Sequence, residues 1–159
     1  MSARTTAQTR TIAVQDLDPK FRDEVAHVPG GENIMKCFAC GTCAAGCPVT
    51  SVDDEYNCRK IIRQVLLGLR QDVLKSPTLW LCMMCYRCTA RCPQGVNFTD
   101  VMRALRFLAV RDGLAPADLL ADSDEIEHLS QLVRHDLIQG TTDGRKEVIA
   151  QLKAKLGKA

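Results

Sequence analysis

The chain has 159 residues, 21 Lys and Arg against 19 Asp and Glu, a formal net charge of +2, nine cysteines and only 4% aromatic residues. That length suits one compact domain with tails, or two small subdomains sharing a core, and not a large enzyme; the near-neutral charge gives no reason to expect a nucleic-acid partner. Plentiful aliphatic residues, few aromatics and few chain breakers favour helix over sheet, so an all-α fold is expected.

Residues 1–18 are polar, rich in Thr, Arg and Gln, and read as a flexible N-terminal arm. The opening MSARTTAQTRTIAVQ has no apolar run long enough for a secretory signal, and nothing later approaches a membrane-spanning length, so a cytoplasmic protein without a membrane span is expected. DPKFRDEVAHV offers Asp18 as a cap, Pro19 at the first helical position, and Phe21, Val25 and Val28 at helical spacing. Pro29, Gly30 and Gly31 stop this short helix, and ENIMKC leads into a first cysteine loop, CFACGTCAAGCP, residues 37–48.

VDDEYNCRKIIRQVLLGLR follows, acidic at its start and then with Ile61, Ile62, Val65, Leu66 and Leu69 on one helical face. Ser76 and Pro77 cap a short helix, TLWLC, that delivers a second loop, CMMCYRCTARCP, residues 82–93. FTDVMRALRFLAVRDG is the best helical pattern in the chain, with Thr99 or Asp100 as cap, Val101, Leu105 and Leu108 as buried stripe, and Gly113 as stop. A further helix is expected over about 116–139, ending at Gly140 and broken near Ser123. In the tail GRKEVIAQLKAKLGKA, Val148, Leu152 and Leu156 lie one turn apart with lysines on the other faces, a segment expected to fray or dock weakly. The expected organisation is therefore an arm over 1–18, a cysteine-bearing domain over 19–114 and a helical extension over 115–159.

The two loops are the one internal repeat. Cys37, Cys40, Cys43 and Cys47 recur as Cys82, Cys85, Cys88 and Cys92, 45 positions on, with Ala45 and Pro48 matched by Ala90 and Pro93. Each run reads C-x2-C-x2-C-x3-C-P, the spacing with which bacterial ferredoxins hold 4Fe-4S clusters, the fourth cysteine of each run ligating the other run's cluster. Three thiolates at this spacing let a loop wrap one cube and turn backbone N–H groups toward its sulfurs. A fourth, carried away by the proline turn, reaches the other cube. Cluster one then takes Cys37, Cys40, Cys43 and Cys92, and cluster two takes Cys82, Cys85, Cys88 and Cys47. Crossed ligation would tie the two halves of the chain together and make part of the folding free energy metal-dependent.

The competing readings are weaker. Zinc prefers two C-x2-C pairs, and this spacing leaves a third and fourth thiol awkwardly placed, twice over. Disulfides are disfavoured in the cytoplasm, and nine cysteines pair poorly. Eight thiolates and two cluster cores would bring the net charge to roughly −2, and Arg59, Lys60, Arg63, Arg87 and Arg91 are candidates to offset it, although all five also read as solvated surface. Cys58 reads as a half-buried free thiol, with a sensor thiol or a ligand shared with a partner as the sharper alternative. His27, His128 and His135 form no ligand spacing. There is no nucleophile grouping and no phosphate-binding glycine loop, so no catalytic residues are expected and electron transfer remains.

Over residues 31–112, the segments GENIMKCFACGTCAAGCPVT, CRKIIRQVLLGL and LWLCMMCYRCTARCPQGVNFTDVMRALR resemble the α-helical ferredoxin domain, and most closely the family of C-type iron-sulfur subunits of heterodisulfide reductase. The resemblance implies two 4Fe-4S clusters held by loops between short helices over residues 19–114, in a subunit that relays electrons without catalysing the reaction. It implies two partners in a hetero-oligomer: the A-type flavoprotein of such complexes, and their B-type component, which is cysteine-rich and disulfide-active. The alternatives are an iron-sulfur relay for another flavin dehydrogenase, similar to glycolate oxidase, and a structural zinc-binding interaction module. The C-x4-C-x2-C spacing of plant-type 2Fe-2S domains and the cysteine-rich repeats of the B-type component do not occur in these residues, so disulfide cleavage is not expected of this polypeptide alone.

Overall fold

A computed structural model describes residues 11–139 and 142–156, with backbone alone for 142–145. The described chain is helical without a strand and divides into two units at Ala115 and Pro116. The first contains α1 (Phe21–His27), α2 (Thr42–Ala45), α3 (Cys58–Leu66), α4 (Arg70–Leu74), α5 (Arg87–Arg91) and α6 (Phe98–Arg111), with 3-10 turns at Val14–Asp16, Ile34–Lys36 and Pro77–Leu81. The second contains α7 (Asp118–Gln139) and α8 (Thr142–Leu156).

Helix α6 centres the first unit. Val101, Leu105 and Leu108, the stripe expected from spacing, are fully buried, and the face widens to Phe98, Met102, Ala104 and Ala109. Against it pack α1, α4, α5 and the 77–81 turn. Helix α3 adds Cys58, Ile61, Ile62 and Val65 and packs on α1, α2 and α4. Each large aliphatic side chain buried here contributes about 1.5–3 kcal/mol.

Helix starts differ from the expected ones, each for a local reason. Asp18 caps the Pro19–Lys20 turn, its carboxylate accepting the Lys20 N–H at 3.0 Å, so α1 begins only at Phe21. The acidic run ahead of α3 is not helical: Asp53 accepts N–H groups from Glu55 and Tyr56 in a turn, and Asn57 caps α3 through the Lys60 N–H at 3.1 Å. Asn57 competes better for that position because its side chain reaches the third residue of the helix. Helix α6 starts from Asn97 in the left-handed region, and Thr99, expected as a cap, is instead buried and bonded inward. Ser76 caps the 77–81 turn as expected, through the Thr78 N–H. Helix α7 runs unbroken through Ser123, whose hydroxyl donates back to the Leu120 carbonyl within the helix. Gly140 and residues 1–10 lie outside the described residues.

Arg70, at the start of α4, ties three elements together: it pairs with Glu24 of α1, with Asp112 at the end of α6 and with Asp18, and Arg111 joins Glu24 and Asp112. The Arg70 hydrogen bond holds the Glu24 carboxyl below its ordinary range; at Asp112 burial opposes the same effect and the two guanidiniums outweigh it. Gly68 ends α3 at φ +81°, and its carbonyl accepts the Asp18 N–H at 2.8 Å. A Cβ on Gly68 would stand 2.3 Å from the Asp18 backbone carbonyl. Gly68→Ala is therefore expected to cost at least about 2 kcal/mol, from the left-handed backbone and the clash together, measured as a lower denaturation midpoint with an unchanged slope.

Candidate metal centre

The two loops have the same backbone course. Ala39 and Met84, one residue before the second cysteine of each run, have φ of +59° and +47°; Gly41 and Tyr86, one residue after it, have φ of +87° and +59°. Left-handed residues on either side of Cys40 and of Cys85 bend each loop around its cysteines, and α2 or α5 follows at once. Helices α2 and α5 pack together, and Gly46 lies against the Arg91 guanidinium, its own counterpart under the 45-residue offset.

Each loop borrows from the other. One cleft, about 400 Å³ with its open mouth, is lined by Cys37, Cys40 and Cys43 of the first run and by Cys92 and Cys88 of the second. A second, about 270 Å³, is lined by Cys82, Cys85 and Cys88 together with Cys47 and Cys58. The clefts differ in depth: Cys82 and Cys88 are buried, Cys37, Cys43, Cys47 and Cys92 half-buried, and Cys40 and Cys85 exposed. Among the described residues no group of three His, Cys, Asp or Glu closes on a point where a single ion would sit. The thiols stand instead around volumes.

Donors aim at the sulfurs. The Ala39 N–H lies 3.4 Å from Cys37 Sγ and the Val96 N–H 3.5 Å from Cys92 Sγ; Thr42 and Thr99 hydroxyls lie 3.3 and 3.4 Å from Cys40 and Cys88 Sγ. Burial pushes the Cys37, Cys82 and Cys88 thiols up, whereas the Thr42 hydrogen bond draws Cys40 down. Cys43 is drawn down to about 7, first by a hydrogen bond from Cys58, which is pushed up by the same bond and keeps its proton. Cys58 is 1% exposed and lines the second cleft, so it is a buried thiol and not the half-buried one expected.

Tyr56 lines the second cleft and is buried, yet its hydroxyl is without a hydrogen-bond partner, the one such buried side-chain N or O atom among the described residues. A hydroxyl left in that condition costs about 1–3 kcal/mol. Thiolate donors, a volume for them to surround, N–H groups turned toward sulfur and an unsatisfied hydroxyl together fit an iron-sulfide core, which carries positive charge for the thiolates and acceptor sulfurs for the hydroxyl.

Of the five basic residues expected to offset cluster charge, Arg59 lines the first cleft and Arg87 the second, and Arg91 packs on Gly46; Lys60 and Arg63 line neither. A buried cation that spacing did not single out, Arg106, bonds the backbone at the start of the second loop. It is 2% exposed, donates to the Leu79 carbonyl at 3.0 Å and the Cys82 carbonyl at 2.7 Å, and lies 5.4 Å over the Trp80 ring. A charge set in the apolar face between Met102 and Ala109 was the available signal. Tyr56 carried none. His27, His128 and His135 are exposed and line neither cleft.

Fold and site together define an iron-sulfur, electron-transfer protein of the α-helical ferredoxin class, and residues 33–96 match the 4Fe-4S dicluster domain family. The C-type iron-sulfur subunit of a CoB–CoM heterodisulfide reductase from Methanopyrus kandleri is 32% identical over 162 residues, covering 89% of this chain and 84% of that one. The C-type subunit of the H2:CoB-CoM heterodisulfide, ferredoxin reductase of Methanothermobacter marburgensis is 38% identical over 103 residues, 64% of this chain and 55% of that one. Its counterpart in the ferredoxin:CoB-CoM heterodisulfide reductase of Methanosarcina mazei is 43% identical over 83 residues, with 52% of this chain and 50% of that one covered. The chain belongs to this family of C-type heterodisulfide reductase subunits, although its matches span only about half the length of the Methanothermobacter and Methanosarcina relatives. No helix among the described residues is long and apolar enough to cross a membrane.

Proposed function

We propose that the chain is the relay subunit of a heterodisulfide-reductase-like complex, carrying electrons through two 4Fe-4S clusters between a flavoprotein and a cysteine-rich, disulfide-active catalytic subunit. The observation that carries the reading is the lining of the two clefts: the first three cysteines of one run meet the fourth of the other in each, with Cys88 also reaching the first cleft and Cys58 the second. On it, Cys37, Cys40, Cys43 and Cys92 hold cluster one, and Cys82, Cys85, Cys88 and Cys47 hold cluster two. When bound, the two cubes supply one-electron chemistry at two neighbouring points.

The chain's own residues hold, shield and expose these points. Buried Cys82 and Cys88, with Val96, Phe98 and Leu79 around the loops, keep water from the inner faces. Exposed Cys40 and Cys85 mark the outer edges, where electrons enter and leave. Beside them stand exposed apolar side chains, Met35 and Phe38 at the first loop and Leu81, Met83 and Tyr86 at the second, which suit burial against partner proteins. Residues 19–114 form the cluster domain on this reading and 115–159 its helical extension. The names of the relatives support a place in a complex of several subunits and a disulfide of two thiol coenzymes as its substrate.

Anaerobic purification followed by metal and sulfide analysis tests the reading. About eight irons and eight sulfides per chain are expected, with brown absorbance bleached by dithionite. A colourless chain with tetrahedral zinc and no sulfide, unchanged after reconstitution, overturns it.

A further inference from the structure

Tyr56 occupies the turn between the first cysteine loop and α3, two residues before Cys58. Its ring belongs to the core, with 1% of the residue exposed, and the residue lines the cleft of Cys47, Cys82, Cys85 and Cys88. The hydroxyl meets no partner in full hydrogen-bond geometry; the acceptor it faces loosely is the Cys82 sulfur, and burial together with that contact pushes the phenol up. The other hydroxyl on that cleft, Thr99, is already engaged with Cys88 and Thr89. No tyrosine lines the first cleft, whose hydroxyl is that of exposed Thr42.

We propose that Tyr56 donates its O–H to a sulfur of the cluster in the second cleft, the Cys82 thiolate or a sulfide beside it, and thereby raises that cluster's reduction potential selectively. This rests on the two-cluster reading above. A phenol is a hydrogen-bond donor at neutral pH, and thiolate and sulfide sulfurs are acceptors. The donor's positive end faces the sulfur. Reduction adds negative charge to the cluster, so the bond strengthens in the reduced state, and hydrogen bonds to sulfur are one of the levers that set such potentials. The low dielectric of a buried site magnifies the effect. The two cubes, nearly identical in ligation, would thus differ in potential through one side chain that belongs to neither cysteine run.

The test is Tyr56→Phe in the full chain, anaerobically reconstituted, followed by a redox titration monitored by electron paramagnetic resonance. The phenylalanine keeps the ring in the core and removes only the hydroxyl. At a fixed potential the reduced-to-oxidised ratio of one cluster is expected to fall about tenfold, 59 mV for a one-electron couple, while the other stays unchanged. The shifted signal should be the one missing from Cys47→Ser. Incorporating 3-fluorotyrosine, a stronger donor of nearly the same size, should move the same cluster the opposite way, and this arm decides the matter if Tyr56→Phe does not load. Loaded clusters with unchanged potentials, or a shift confined to the 37–43 cluster, overturn the role of Tyr56 and leave the two-cluster reading standing. A wild-type chain that takes up no iron and sulfide overturns both.

Discussion

Cys47→Ser should lose the cluster held by residues 82–88 and keep the one beside it in sequence, leaving about four irons per chain instead of about eight. Cys92→Ser should do the reverse. The reason is the lining of the two clefts, in which Cys47 stands with Cys82, Cys85 and Cys88, and Cys92 with Cys37, Cys40 and Cys43. Double variants make the test decisive. Cys47→Ser combined with Cys82→Ala strikes one site twice, so about four irons should remain; combined with Cys37→Ala it strikes both sites, so almost none should remain. Iron analysis that reverses these two outcomes would mean that each loop ligates only its own cube. Crossed ligation also predicts a mechanical consequence: since α2 and α5 are held together through both sites, either single variant should lower the stability of the whole first unit.

Arg106→Ala is expected to destabilise the loaded protein by about 3–5 kcal/mol, a large share of the 5–15 kcal/mol typical of a domain. Two buried carbonyls, those of Leu79 and Cys82, would lose charge-assisted donors at 3.0 and 2.7 Å, and the Trp80 ring would lose the cation above it. Arg106→Lys keeps the charge but cannot present the same planar fork, so it should recover only part of the loss. Because the Cys82 carbonyl is one of the groups held, the second cluster should be the first to go when a chelator is added. Chemical denaturation read by circular dichroism, alongside chelation followed by absorbance, gives both quantities. A loss below about 1 kcal/mol with both clusters chelated at wild-type rates would remove Arg106 from this role.

The cysteine spacing was legible because cluster ligation is largely a local property: three thiols within seven residues share one loop whatever surrounds them, and the recurrence 45 positions later marks a second. The apolar stripes of α3 and α6 were legible for the same reason, since a helix repeats every 3.6 residues and its buried face recurs with it. Helix starts were less so. Asp18, Asn57, Asn97 and Thr99 all have side chains suited to capping, and neighbouring turns decided which of them capped a helix, which capped a turn and which turned inward.

Helical character, the two four-cysteine runs and the chemistry such runs perform could all be read from residue order. Packing, by contrast, buried Cys58 beside the second cleft, brought the unsatisfied hydroxyl of Tyr56 to the same cleft, and set Arg106 to hold the carbonyl of Cys82 from a helix 24 residues away. Thiolate ligation is written in spacing. The hydrogen bonds that tune it come from residues brought near by packing, and no periodicity along the chain records which donor faces which sulfur.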